Sequence, residues 1–414
     1  MAKYRIYTKF SSNIPYQHIY YDLSIHKTNG SGEKSFLLQV KKQSVRSGYT
    51  TGTHETEETG DDLSTIYIMD IMLYRKSGEE YIRIFHEPVS RMYRLQDMIS
   101  GKLVSSDKKE NVCYFETSQQ VKKSEQGNIN SYHVKISCEE RMFIAPEHPI
   151  GDPLDPFSKE KIDSELQIRM SSSTLRSPSL SVNVYPYPFQ QETMLCGPAA
   201  FFYCLLIDRP DLYEAIVRGL WRNGKIKVGD LNIEPSFKTR RPGNLFYSHG
   251  KQKISSIDWI SLASLRDSEN RLMTYDSPDD KVSAITMWGR IEDWFTKMGS
   301  RKLFSNISLT HSKLRDVVML NNYVGQGRHI TSLISAGMLQ LGADSPFKDH
   351  WIVWEGPVRL AKDNTPVTLE SDLNEIVKLN LFSWGEVKDW LEMNLTLSDF
   401  LKNTFGAMVF EKIP

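Results

Sequence analysis

The chain has 414 residues, and its 51 lysines and arginines balance 51 aspartates and glutamates, for a formal net charge of zero. That balance gives no electrostatic case for a nucleic-acid partner or an acidic membrane surface, while the length suffices for two or three domains with substantial cores. Four cysteines are too few for a disulfide framework, and the longest apolar run, around Pro198 to Ile207, is too short to span a bilayer.

The segment Met1-Ala2-Lys3-Tyr4-Arg5-Ile6-Tyr7 alternates polar and apolar residues and lacks the apolar core of a secretory signal. The expectation is synthesis in the cytoplasm without a signal peptide, with export by a signal-independent system left open. Residues 1–150 read as a mostly β module, a sandwich or barrel suited to binding, docking or delivery. Strands are predicted at 5–10, 35–40, 65–74, 81–86, 112–117 and 132–138, many alternating apolar and polar as half-buried antiparallel strands do. The acidic run 54–62 (HETEETGDD) reads as a solvated loop, with a metal site as the alternative. Cys113 and Cys138 fall in two of these strands and are expected as reduced, packed thiols; a cross-strand bond is the alternative. Nowhere do cysteines and histidines take zinc-ligand spacing, and neither a metal nor another cofactor is expected.

Residues 151–182 have a linker's proline and serine content, interrupted by a short helix at 158–170. Tyr185-Pro186-Tyr187-Pro188 is extended, because residues preceding proline avoid the helical region. It leads into Gln190-Gln191-Glu192-Thr193-Met194-Leu195-Cys196-Gly197-Pro198-Ala199-Ala200, where a loop becomes an apolar helix. A thiol attacks a carbonyl as its thiolate, and the unpaired N–H groups at a helix N-terminus favour that charge. Gly197 permits a tight start, and Pro198 suits the first turn, where its missing N–H costs nothing. Cys196 is therefore the candidate nucleophile. Its backbone N–H and the side-chain amide of Gln190, with Gln191 as the alternative, are candidate oxyanion donors. Cys204, eight residues further on, reads as an inert packed thiol.

Helices follow at 211–223, stopped by Gly224, and at 255–267, 282–298 and 312–323. In the third of these four, Ile285, Trp288, Ile291, Trp294 and Phe295 form a stripe that reads as core packing. Gly325-Gln326-Gly327 lacks the rest of any nucleotide-binding fingerprint. Strands are then predicted at 330–335, 351–358, 377–382 and 407–412, with helices between 386 and 404. His350 opens the second of these strands and is the candidate general base; His329 and His249 are its rivals.

Gln190 through Ala200 resembles the nucleophile segment of papain-like cysteine peptidases, and most of all the bacterial branch that includes the leader-removing peptidase domains of bacteriocin exporters. The segment His350-Trp351-Ile352-Val353 is similar to that family's histidine strand, and His329 to Ser335 to the strand before it. The resemblance implies an α+β fold: a papain-like domain over 183–414, its nucleophile helix packed on an antiparallel sheet, with a helical insertion at about 208–325. It also implies a third residue, Asp or Asn, on a following strand. Here Ser383-Trp384-Gly385 matches the family's Asn-Ser-Trp-Gly, but Phe382 falls where the Asn belongs. Asn380 is the nominee for that role, with Ser383, Asp363 or a two-residue dyad as alternatives. The implied activity is cleavage of a protein or peptide by a Cys–His thiol mechanism. Deamidation, transglutamination and peptidoglycan amide cleavage run on the same chemistry, and a degenerate module that only binds is the non-enzymatic alternative. A hydrolase behind a β-rich leader also looks like antibacterial toxin effectors of type VI-like secretion systems. That likeness implies an immunity protein and a component of the secretion apparatus as partners.

Overall fold

The computed structural model describes the chain except residues 1–2, 9, 12–15, 31, 78, 84–87, 100–112, 115–140, 150–151, 172–184, 192, 270–276, 279–287, 309, 326 and 341–349. It is a mixed α/β protein with several antiparallel sheets, and it divides into two compact units, Met1–Glu140 and Arg141–Ile413.

The first unit is built on β1 (Ile19–Thr28), β2 (Lys34–Ser44), β3 (Ile66–Ser77), β4 (Glu80–Arg83) and β5 (Val89–Arg94). The sheet runs β2-β1-β3-β4, and β5 also pairs with β3. At twelve residues, β3 is long enough to carry β5 along Ile66–Ile71 and β4 beyond Tyr74. Strand β1 was not among the predicted strands. It follows strict alternation, with Ile19, Tyr21, Leu23 and Ile25 fully buried against Met69, Ile71 and Leu73 of β3. Within the acidic run, His54 bonds the Tyr21 hydroxyl at 2.7 Å, and Asp61 pairs with Lys27 at 2.6 Å. Among the described residues no group of three or more His, Cys, Asp and Glu side chains is arranged to hold a metal. The predicted strand 132–138 with Cys138, the side chain of Cys113, and most of 112–117 lie outside the described residues.

The second unit begins before the expected linker. Helix α1 (Lys159–Ser171) is part of its core, with Ile162, Glu165, Leu166 and Arg169 buried. The serine-rich 172–182 lies outside the described residues. Helix α2 (Cys196–Asp208) is buried along nearly its whole length and turns directly into α3 (Pro210–Asn223). Gly224 closes α3 at φ 68°, its N–H bonded to the Leu220 carbonyl. A helical stretch, α4 (256–268), is capped by Ser255 and contains a π turn over Trp259–Ala263. In α5 (Trp288–Lys297) Ile291, Trp294 and Phe295 of the apolar stripe are fully buried, as expected; Ile285 and the side chain of Trp288 lie outside the described residues.

The sheet of this unit has six antiparallel strands: β6 (Lys302–Ser305), β7 (Arg328–Ile334), β8 (His350–Trp354), β9 (Asn380–Ser383), β10 (Glu386–Asp389) and β11 (Thr404–Glu411), in the order β6-β11-β7-β8-β9-β10. The short helix α6 (Leu314–Asn321) precedes β7. Residues 386–404, predicted helical, instead open with β10, and only α7 (Leu397–Lys402) is helical there. The cause is the Trp384-Gly385 turn. Both residues have positive φ, 45° and 77°, and a two-residue turn of that kind folds the chain straight back into a hairpin.

Candidate active site

Helix α2 packs across β8 and β9. At its far end, Asp208 bonds His329 of β7 at 2.5 Å, and the Tyr203 hydroxyl bonds Glu355, just past β8. From Cys196 to Asp208 the helix rises about 18 Å, and from His350 to Glu355 the strand covers about 17 Å. The two elements are matched in length; Cys196 opens the helix and His350 opens the strand on which it packs. Aromatic stacking fixes the rotation of the helix. Tyr203 lies face to face on Phe382 of β9, centroids 4.0 Å apart, with Tyr187 edge-on to both. Such stacks contribute about 1 kcal/mol beyond their burial. Phe382 is thus a packing anchor for the helix.

Cys196 and His350 are each 4% exposed. Leu195, at the N-cap, makes no side-chain cap bond, and the first turn holds no acidic residue, so no side chain of the helix neutralises the positive end of its dipole at Cys196. His350 Nε2 lies 2.8 Å from Ser383 Oγ. Trp384 stacks on the imidazole at 5.0 Å and is itself braced edge-on by Trp390. Burial pushes His350 down to about 4, so the resting imidazole is neutral near pH 7.

The glutamine loop is a tight turn. Gln190 is 6% exposed, its Nε2 donates to the Thr193 carbonyl at 3.1 Å, and its own carbonyl accepts from Thr193 Oγ1 at 2.6 Å. Gln191 follows with φ 56°.

The structure does not bring Asn380 to His350. Asn380 is exposed, pairs in register with Asp389, and gives its carbonyl to Glu355 N–H, at the opposite end of β8. With Leu381 opposite Trp354 and Phe382 opposite Val353, the following residue, Ser383, lies nearer the His350 end of β8, and its hydroxyl is the partner of His350. Asp363 is spent in its own turn, accepting from Thr365 N and Oγ1.

A second thiol–imidazole–carboxylate group was missed in the sequence. Cys204 hydrogen-bonds His329, whose Nε2 meets Asp208, and Asp208 also accepts Ile413 N–H at 2.7 Å. Spacing carried a signal: Cys204 and Asp208 are four apart on one helix face. Burial pushes the Cys204 thiol up, and it lies toward the C-terminal end of α2, where the dipole opposes a thiolate. Burial works against charge on His329 too, but the Cys204 sulfur and the Asp208 carboxylate hold it well above the usual imidazole range. This group makes a sealed ion pair that anchors the helix.

Comparison with protein-family models, with curated proteins and with solved structures returns no match to this chain.

Proposed function

We propose that the Arg141–Ile413 unit is a papain-like cysteine hydrolase acting on a peptide or protein amide through Cys196 and His350. The observation that carries this reading is the His350–Ser383 bond beneath Trp384, on the sheet against which the helix opened by Cys196 packs. Ser383 is the orienting residue. A hydroxyl accepts from Nε2–H, which leaves Nδ1 to take the thiol proton. Sγ then attacks the carbonyl carbon, and the oxyanion is held by Cys196 N–H and by the Gln190 amide, which has a second N–H besides the one given to Thr193. The imidazolium returns its proton to the leaving amine as the C–N bond breaks, and a thioester remains. Water, deprotonated by His350, attacks the thioester; the acid departs and the thiol is restored.

Because Ser383 carries no charge, it does not hold His350 protonated. The imidazolium is stable only while a thiolate or oxyanion stands beside it, so the two groups titrate as a pair. No described helix is long and apolar enough to cross a membrane. A role as a delivered antibacterial toxin, with an immunity partner, has only the order of the two units behind it.

A peptide bearing an electrophilic carbonyl in place of the scissile amide tests the reading. Intact mass should show one adduct, mapped to Cys196 and lost in both Cys196→Ala and His350→Ala. An adduct on Cys204, or one that persists in His350→Ala, would refute the assignment.

A further inference from the structure

The guanidinium of Arg169, on α1, has no exposed side-chain surface. Its Nη1 and Nη2 donate to Asp258 Oδ1 and Oδ2 at 3.1 and 3.0 Å, and Nη1 also donates to the Tyr213 hydroxyl at 2.8 Å. Asp258 is held from its other side by Ser255 Oγ at 2.7 Å. Three helices are thereby joined, and this alone would be a structural role. The Nε–H leaves the cluster: it donates at 2.9 Å to the main-chain carbonyl of Tyr185, sixteen residues downstream.

Tyr185 opens the segment that delivers Gln190. Its ring packs on Phe189, centroids 4.1 Å apart. The Cβ atoms of Tyr185 and Phe189 both come within 2.9 Å of where a Cβ on Gly385 would sit, and Gly385 has φ 77°. Gly385 follows Trp384, the residue stacked on His350. One continuous set of contacts therefore runs from Arg169 to the Gln190 turn on one side and to the His350 cover on the other.

We propose that Arg169 is a positioning residue for the Cys196 site: it grips the main chain at Tyr185 and, through Phe189 and Gly385, holds the Gln190 turn and the Trp384 cover in register. The inference rests on the hydrolase reading above. It also assigns a function to α1, a helix that stands well before the nucleophile in sequence. A lysine cannot replace the arginine, because the planar fork toward Asp258 and the separate Nε donor toward Tyr185 are both needed.

The test compares wild type, Arg169→Lys, and Arg169→Met combined with Asp258→Asn. The double variant removes both charges together and so avoids an unpaired buried carboxylate. The readouts are the melting temperature, hydrogen exchange at 185–195 and 383–390, and the rate of Cys196 alkylation by iodoacetamide. Both changes should leave the protein folded, raise exchange in both segments, and slow alkylation by about tenfold or more, since small misplacements of catalytic groups are costly. Unchanged exchange in a folded variant overturns the proposal whatever the thiol does. A wild-type thiol indifferent to His350→Ala overturns instead the hydrolase reading on which it rests.

Discussion

His350 is where chemistry and burial meet most directly. Its pKa, pushed down to about 4 by burial, lies below that of an unfolded histidine near 6.5. The folded state therefore binds fewer protons than the unfolded one between those values. Stability is retained above about pH 6.5 and falls on acidification toward 4, by about 3 kcal/mol from this residue. In Cys196→Ala the imidazole loses the group that could share its charge, so its NMR signals should not titrate between pH 8 and 5; a midpoint near 6.5 would show an ordinary solvated histidine. How far the site can be read from the chain divides along the same line. The helix start at Cys196 and the strand start at His350 were legible from local context. Ser383 was not, because choosing it over Asn380 needs the β8–β9 register, and a shift of three residues along a strand is invisible in composition.

At the scale of elements, α1 shows how a tertiary network overrides local composition. Flanked by proline and serine, it reads as an interruption in a linker, yet it buries Glu165 and Arg169. Burial pushes the Glu165 carboxyl up to about 7, against the opposing pull of the Ile257 N–H and Lys161. Its folded value lies above the unfolded one, so the folded state holds the extra proton. The contribution is full below about pH 4.5 and is lost as pH rises through 7, about 3 kcal/mol in all. Glu165→Gln keeps an acceptor for Ile257 N–H without the titration. Its denaturation midpoint should therefore lack the loss between pH 5 and 8 that Glu165 adds in wild type, and a pH profile parallel to that of wild type would refute the assignment. The β9–β10 hairpin carries the same lesson. Glu386 to Asp389 has no strong strand preference, and the two positive-φ residues before it decide its fate. The turn geometry of Trp384-Gly385 was not legible in the sequence.

Across the whole molecule, the division into a β-rich first part and a mixed second part was legible from hydrophobic periodicity, since alternation dominates before residue 100, helical spacing from about 190 to 300, and strands again beyond that. The boundary was not. Proline and serine marked 151–182, whereas the second unit already begins at Arg141, whose guanidinium pairs with buried Asp155. An ion pair of that kind, formed between residues apart in sequence, leaves no compositional trace. The proposed activation of Cys196, and not of Cys204, belongs to this unit. The pH dependence of Cys196 alkylation, followed by intact mass in wild type and His350→Ala, tests it most directly. The account predicts rapid labelling of Cys196 well below pH 8 in wild type, slowed in the variant to the profile of an ordinary thiol with a pKa near 8.5, while Cys204 stays unlabelled. Labelling that rises only above about pH 8 and is the same in both proteins would contradict it.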